Sequence, residues 1–238
     1  MKGIVLAGGL GTRLHPLTRV TNKHLLPVYD QPMIAWPVRK LIDAGIRDIL
    51  IVTGGQHAGD FLRLLGNGRE FGLKHLNYTY QEGEGGIAEA LGLAEHFADG
   101  DPVMVMLGDN LFEDSMRSAV RRYEEQGAGA RIFLKEVPDP ERFGVPHLVD
   151  GRITAIVEKP SSPPSPYAVT GAYIYDARVF DIIRTLEPSA RNELEITDVN
   201  NRYIEWGELE HEVLEGWWAD AGTFESLHRA SKLVRGSG

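Results

Sequence analysis

Strand-like runs at residues 3–6, 48–53, 77–81 and 103–107 alternate with helical periodicity at 33–44, 58–65, 87–97 and 115–126. That alternation predicts βαβ units, because a helix crossing back over the sheet leaves successive strands parallel and covers their faces. Ligands of such sheets bind beyond the carboxyl ends of the strands. Chemistry is therefore expected where each run stops. From residue 130 the texture changes: 132–136 reads as a strand, and 145–149 and 152–159 flank Asp150-Gly151, a two-residue hairpin signal. The predicted fold class is α/β, a Rossmann-like mixed, mostly parallel central sheet flanked by helices, with an antiparallel portion in the second half. A chain of 238 residues with 42% hydrophobic content can bury one substantial core, so a single domain over 1–238 is expected, in halves of about 1–129 and 130–238. Residues 161–166, Ser-Ser-Pro-Pro-Ser-Pro, are too few for an interdomain linker and read as a surface loop, and 235–238 read as a frayed end.

Composition narrows the function classes. A formal net charge of −9 offers no basic field for a nucleic-acid backbone, so no nucleic-acid partner is expected and phosphate must be met locally. The absence of cysteine excludes disulfides, thiolate metal sites and thiol nucleophiles. No window approaches the roughly eighteen apolar residues of a membrane span, and the run at 4–6 breaks at Ala7-Gly8-Gly9 too soon for a signal-peptide core. A cytoplasmic protein with no membrane partner is expected. The eight histidines form no His-Glu-x-x-His pair, and no Gly-x-Ser-x-Gly elbow occurs.

The strand ends carry the candidate chemistry. Leu6-Ala7-Gly8-Gly9-Leu10-Gly11-Thr12-Arg13 follows the first strand with glycines, whose backbone N–H groups can form an anion-binding concavity, and then supplies a guanidinium suited to phosphate oxygens. A tight strand-to-helix turn would explain the glycines alone; Arg13 tips the balance toward phosphate. Lys23, just before an apolar turn, could be a solvated surface charge, but a triphosphate needs several cations. Gln81 closes a strand before the Gly83-Glu84-Gly85-Gly86 loop, where its amide can read the edge of a pyrimidine while glycine backbone completes the contact. An ordinary helix start is the alternative.

Asp109 ends an apolar strand where Mg²⁺ could bind, since that ion takes few carboxylates and fills its shell with water and phosphate oxygens. A helix cap is the rival role. Asp220, at the end of another apolar run, would be its partner. Glu158-Lys159-Pro160 sets an acid and a base side by side, which a regular strand would send to opposite faces unless the chain bends. Arg191 is a candidate phosphate ligand, and Thr197 is placed to cap a helix at 199–206.

In chain order, GGLGTRLHPLT, NKHLLPVYDQPMI, QEGEGGIAEA, LGDN, ERFGV, EKP, YAVTGAYIYD, ELEITDVN and WWADAGT resemble the sugar-nucleotide pyrophosphorylases over about residues 1–230. YAVTG with ELEITDVNN resembles their glucose-1-phosphate thymidylyltransferase branch. The resemblance implies dTTP and α-D-glucose 1-phosphate as substrates, dTDP-glucose and pyrophosphate as products, Mg²⁺ as cofactor, and a homo-oligomer. It implies Leu6, Gly8, Gly9, Gly11, Thr12 and Arg13 around the triphosphate, Lys23 beside the phosphates, and Gln81 and Gly86 on thymine. Asp109 and Asp220 would hold the metal. Gly144, Glu158, Val169 and Tyr173 would line the sugar pocket in the antiparallel portion, with Lys159 and Arg191 on the sugar phosphate. Arg13, Lys23, Asp109 and Lys159 would be the catalytic group.

Three departures from the family pattern stand out. Phe143 replaces a frequent tyrosine, Asn192 follows Arg191 where glycine is common, and the length resembles the short form, so the regulatory nucleotide site associated with the C-terminal region of longer relatives is not expected. The expected chemistry is in-line attack of the sugar-phosphate oxygen on the α-phosphorus. A phosphate monoester, with a second pKa of about 6 by analogy with phosphoserine, needs no general base near neutrality. UTP or another hexose 1-phosphate, and a silent nucleotide-sugar sensor, remain the alternatives.

Overall fold

The computed structural model describes residues 1–236. The chain runs through β1 (Lys2–Ala7), the short strands β2 (Pro27–Val28) and β3 (Gln31–Pro32), α1 (Ala35–Asp43), β4 (Asp48–Gly54), α2 (Ala58–Leu65) and β5 (His75–Gln81). It continues with α3 (Ile87–Gly92), α4 (Glu95–Ala98), β6 (Val103–Leu107), β7 (Asn110–Phe112), α5 (Arg117–Gln126) and β8 (Ala130–Glu136). The hairpin β9 (Gly144–Val149) and β10 (Arg152–Glu158) follows, then β11 (Tyr167–Tyr175), α6 (Val179–Ile183), α7 (Ile196–Glu205), β12 (Leu209–Val213), β13 (Trp218–Asp220) and α8 (Phe224–Gly236).

Seven strands form the central sheet in the order β12-β8-β11-β6-β1-β4-β5. All share one direction except β11, which runs antiparallel to both neighbours. Alternate side chains feed two cores. Ile4, Leu50, Val52, Val103 and Val105 pack beneath α3, α6 and α7, whereas Val5, Ile49, Ile51, Met104 and Met106 pack beneath α1, α2 and α5. This double coverage explains why the central strands read as continuous apolar runs. Each such side chain, once buried, contributes about 1.5–3 kcal/mol, which outweighs the roughly 0.5–1 kcal/mol that glycine costs a strand. Gly3 occupies β1 for a packing reason: a Cβ there would stand 2.9 Å from Leu41 Cδ1.

The structure agrees with the α/β expectation and alters several details. The single helix expected at 87–97 is two, α3 and α4, parted at Leu93-Ala94 just after Gly92. A Cβ on Gly92 would approach Ile183 Cγ2 to 3.2 Å, so the glycine that lets α6 pack close also weakens the helix. The hairpin turn at Asp150 and Gly151 has φ of 49° and 75°, the backbone that its sequence favours. The strand expected to reach 159 stops at Glu158, and the helix expected at 199–206 begins earlier, at Ile196. Arg235 and Gly236 continue α8 instead of fraying, while Ser237 and Gly238 lie outside the described residues. Among the described residues no helix is long and apolar enough to cross a membrane.

Candidate active site

At the carboxyl ends of β1, β5 and β6 lies a cavity of about 670 Å³, within the size range of small-molecule sites. Every residue expected at the site lines it: Leu6, Gly8, Gly9, Gly11, Thr12, Arg13, Lys23, Gln81, Gly86, Asp109, Gly144, Glu158, Lys159, Val169, Tyr173, Arg191 and Asp220. The topology brings together positions more than 200 residues apart.

The glycine turn after β1 is stapled by Thr18, whose hydroxyl donates to the Gly11 carbonyl at 2.8 Å. Gly11 has φ of 70°, and a Cβ there would stand 2.7 Å from Lys23 Cβ. The glycine therefore serves both conformation and clearance, letting Lys23 run under the turn. With 12% of its side-chain surface exposed, Lys23 is no solvated surface charge; its Nζ meets Asp109 Oδ2 at 2.5 Å. Burial works against the Asp109 charge, but Lys23 and the Asn110 amide, donating to Oδ1 at 3.0 Å, hold its carboxyl well below the usual range.

Asn110 is the element that sequence reasoning missed. Its Oδ1 accepts from Trp218 Nε1 at 2.7 Å and from the Gly171 N–H at 2.9 Å. Gly171 sits where β11 shifts register against β8, and any Cβ there would meet the Asn110 amide within 2.6–2.8 Å. The irregularity in β11 thus admits Asn110, which fixes Asp109. Pairing of β7 with β13 sets Asp220 opposite Asn110, and the Ala221 N–H donates to the Asp109 carbonyl at 2.8 Å. Burial and the neighbouring Asp109 push the Asp220 carboxyl up; Lys23 and Arg13 offset this only in part. Neighbouring carboxylates short of positive charge suit a divalent cation. Among the described residues no group of three or more acidic or histidine side chains is placed to hold a metal; a pair of carboxylates fits only an ion that fills its shell from water and phosphate.

His24 adjoins this pair but is no proton shuttle. Burial, reinforced by Lys23, lowers its pKa to about 3, and its Nδ1 pairs with Asn22 Oδ1 at 2.8 Å. It stays neutral near neutral pH.

Past Gln81, Gly86 adopts φ of 99°, and a Cβ there would stand 2.5 Å from the Leu194 carbonyl oxygen. The Leu194 N–H donates to the Gly85 carbonyl at 2.8 Å, so the loop before α7 docks directly onto the loop after β5. At the far end of the cavity, Lys159 takes a left-handed φ of 44° with its N–H on the Phe143 carbonyl. That bend turns Glu158 and Lys159 into the same cavity, with Lys159 Nζ 3.5 Å from Glu158 Oε1. Thr197 does not cap α7: its hydroxyl donates to Glu158 Oε2 at 2.7 Å, because Glu195 already occupies the cap position. Arg191 bonds Glu195 at 2.7 Å and lies 3.3 Å from both Glu158 and Glu193. Asn192, with φ of 59°, takes the left-handed backbone that asparagine tolerates better than most residues. Phe143, lacking a hydroxyl, packs edge-on against Trp218 with centroids 5.1 Å apart. Burial, with Glu158 and Asp109 nearby, pushes the Tyr173 phenol far up, so it remains a neutral hydrogen-bonding group.

A family model described as nucleotidyl transferase matches residues 2–236. The chain is 46% identical over 239 residues to the glucose-1-phosphate thymidylyltransferase of Neisseria meningitidis, covering 99% of this chain and 83% of that one. It is 47% identical to the enzyme of the same name from Mycolicibacterium smegmatis, covering 99% and 82%. A Bacillus anthracis crystal structure assigned to glucose-1-phosphate thymidylyltransferase, in complex with sucrose, superposes with a TM-score of 0.95 at 53% identity, covering 99% and 95%. A UDP-glucose pyrophosphorylase complexed with UDP-glucose superposes at 0.88 with 26% identity, covering 100% and 99%.

Proposed function

The chain belongs to the nucleotidyl transferase family, in its glucose-1-phosphate thymidylyltransferase branch, and from that premise we propose how its cavity transfers a thymidylyl group from dTTP to glucose 1-phosphate. The observation that carries the reading is the convergence of the glycine turn, Lys23, Asp109, Asp220 and the Glu158-Lys159 bend on one cavity. A phosphate oxygen of glucose 1-phosphate bonds to the α-phosphorus, the bond from that phosphorus to the bridging oxygen breaks, and pyrophosphate leaves. The nucleophile arrives already ionised, so the protein needs to align reactants and neutralise charge rather than abstract a proton. The neutral His24 and Tyr173 accord with this division of labour.

In this reading the first half holds the nucleotide and the second half the sugar. The backbone at Gly8, Gly9, Gly11 and Thr12, with Leu6 beside it, cradles the triphosphate, while Arg13 and Lys23 meet its charge and Gln81 and Gly86 take the base. Asp109 and Asp220 would hold Mg²⁺, which when bound supplies further neutralisation of the triphosphate. Gly144, Val169, Tyr173 and Glu158 receive the hexose, and Lys159 and Arg191 its phosphate. Arg191 must leave some of its carboxylate partners to do so. A cytoplasmic homo-oligomer is the family expectation, checked by size-exclusion chromatography with light scattering. The experiment for the reaction is pyrophosphate release with dTTP, glucose 1-phosphate and Mg²⁺, repeated with UTP and other hexose 1-phosphates. Turnover is expected with dTTP and glucose 1-phosphate; failure with every pair overturns the reading. UTP is the pertinent competitor, because it differs from a thymine nucleotide at the base by one methyl group, a small energetic handle.

A further inference from the structure

The amide of Gln81 is clamped. Its Nε2 donates to the Gly86 carbonyl and to Glu89 Oε1, each at 3.2 Å. A carbonyl and a carboxylate offer no proton, so a flipped amide would turn its oxygen toward two other oxygens. The opposite end is thereby fixed as an acceptor. Gln81 Oε1 lies against Gly8, where a Cβ would stand 2.4 Å away, and among the described residues no hydrogen bond reaches it. Glu89 is held in turn by an absence of side chain. A Cβ on Gly85 would fall 1.4 Å from Glu89 Oε2 and 2.2 Å from its carboxyl carbon.

We propose that Glu89 is a positioning residue for base choice: it holds Gln81 with the amide oxygen toward the cavity, so that the site takes a pyrimidine carrying a proton on N3 and rejects cytosine. Thymine and uracil have that proton. Cytosine presents a lone pair there, which would oppose the Gln81 oxygen. The inference rests on the nucleotide-binding reading above. Its rival is that Glu89, in the first turn of α3, merely favours the helix N-terminus as acids do there. Glutamine serves that position comparably, but because it can donate as well as accept it no longer forbids the flipped amide there, leaving the Gly86 carbonyl as the one contact that selects the orientation.

The test compares kcat/KM for dTTP and dCTP in wild type, Glu89→Gln and Gly85→Ala. The alanine is included because Gly85 does not need a left-handed backbone, so its methyl group evicts the flexible carboxylate and should reproduce Glu89→Gln. Wild type is expected to prefer dTTP by about a hundredfold or more. Each variant should lower that ratio about tenfold, the worth of roughly one hydrogen bond, with the dTTP loss falling on KM more than on kcat. If Gly85→Ala does not fold, Glu89→Gln decides. Equal slowing of both nucleotides at an unchanged ratio, or a wild type that uses dCTP as readily as dTTP, overturns the inference. Equilibrium binding of dTTP and dCTP reads the same ratio without turnover, so a protein that discriminates but does not react would sink the reaction and leave the role of Glu89 standing.

Discussion

Asp176 and the pair Asp109 and Asp220 lie toward opposite ends of the central sheet, and their surroundings differ in kind. Tyr175, at the end of β11, pairs with Val103 at the start of β6, so Asp176 sits at the end away from the cavity. There it accepts the Gly129 N–H at 2.7 Å, Arg178 Nε at 2.9 Å and the Tyr203 hydroxyl at 2.8 Å. Burial opposes its charge, but these donors outweigh burial and hold the Asp176 carboxyl below the usual range. Arg178 is itself shared with Glu208 and lies over Trp206. At the cavity end Lys23 pairs directly with Asp109, while for Asp220 burial and Asp109 outweigh Lys23 and Arg13, so its carboxyl is pushed up instead. Both ends carry charge partly withdrawn from solvent. A carboxylate answered by fixed donors holds the fold together, whereas a pair left short of positive charge is a place for a ligand.

The comparison breaks most readily at the cavity end. Asp109→Asn and Asp220→Asn should each cut pyrophosphate release about 10²–10³-fold, the scale seen when one electrostatic stabiliser is removed. In metal-free protein Asp220→Asn should leave the melting temperature unchanged or raised, since it removes a like charge beside Asp109. Near-normal turnover, or a large loss of stability in metal-free Asp220→Asn, would make this pair structural like its counterpart.

Asp176→Asn should do the reverse, costing about 2–3 kcal/mol by denaturant midpoint with kcat within about twofold of wild type. The pH dependence sharpens this. Because the donors around Asp176 depress its folded-state pKa below the ordinary carboxylate value, its contribution is full well above that ordinary value and is lost as pH falls through the folded pKa. The stability gap between wild type and Asp176→Asn should therefore narrow below about pH 4. A gap that stays constant into acid would show that the loss in Asp176→Asn comes from packing and not from charge.

What was legible in the sequence divides along the same line. The parallel core could be read because Ile4, Val5, Ile49, Ile51, Val103 and Val105 must be apolar to lie between two helix layers. The glycine turn and Asp109 could be read because strand ends are where such sheets bind ligands. What stayed hidden depended on backbone departures and long-range partners. The left-handed Lys159 put Glu158 and Lys159 on one side, which strand alternation would not predict. Asn110 gained its place through an irregularity in a strand some 60 residues away. The Asp176 cluster joins Gly129, some 47 residues before it, and Tyr203 and Glu208, 27 and more residues after it, with only Arg178 close by in sequence.

Thr197 provides the smallest and most selective test, because it lies between the two extremes. Its hydroxyl is a fixed donor, as at Asp176, yet the carboxylate it serves faces the cavity: Glu158 Oε2 takes the Thr197 bond while Oε1 is 3.3 Å from Arg191. Thr197→Val keeps the shape, removes one charge-assisted hydrogen bond and leaves Glu158 free to swing toward Lys159 or Arg191. The KM for glucose 1-phosphate should rise about tenfold, while the KM for dTTP, whose contacts lie toward β1 and β5, should change less than about twofold. If both KM values rise together, Thr197 supports the whole cavity through the docking of Leu194 on Gly85. If neither moves, Glu158 is held well enough by Arg191 alone, and the hydroxyl belongs with the structural donors at the other end of the sheet.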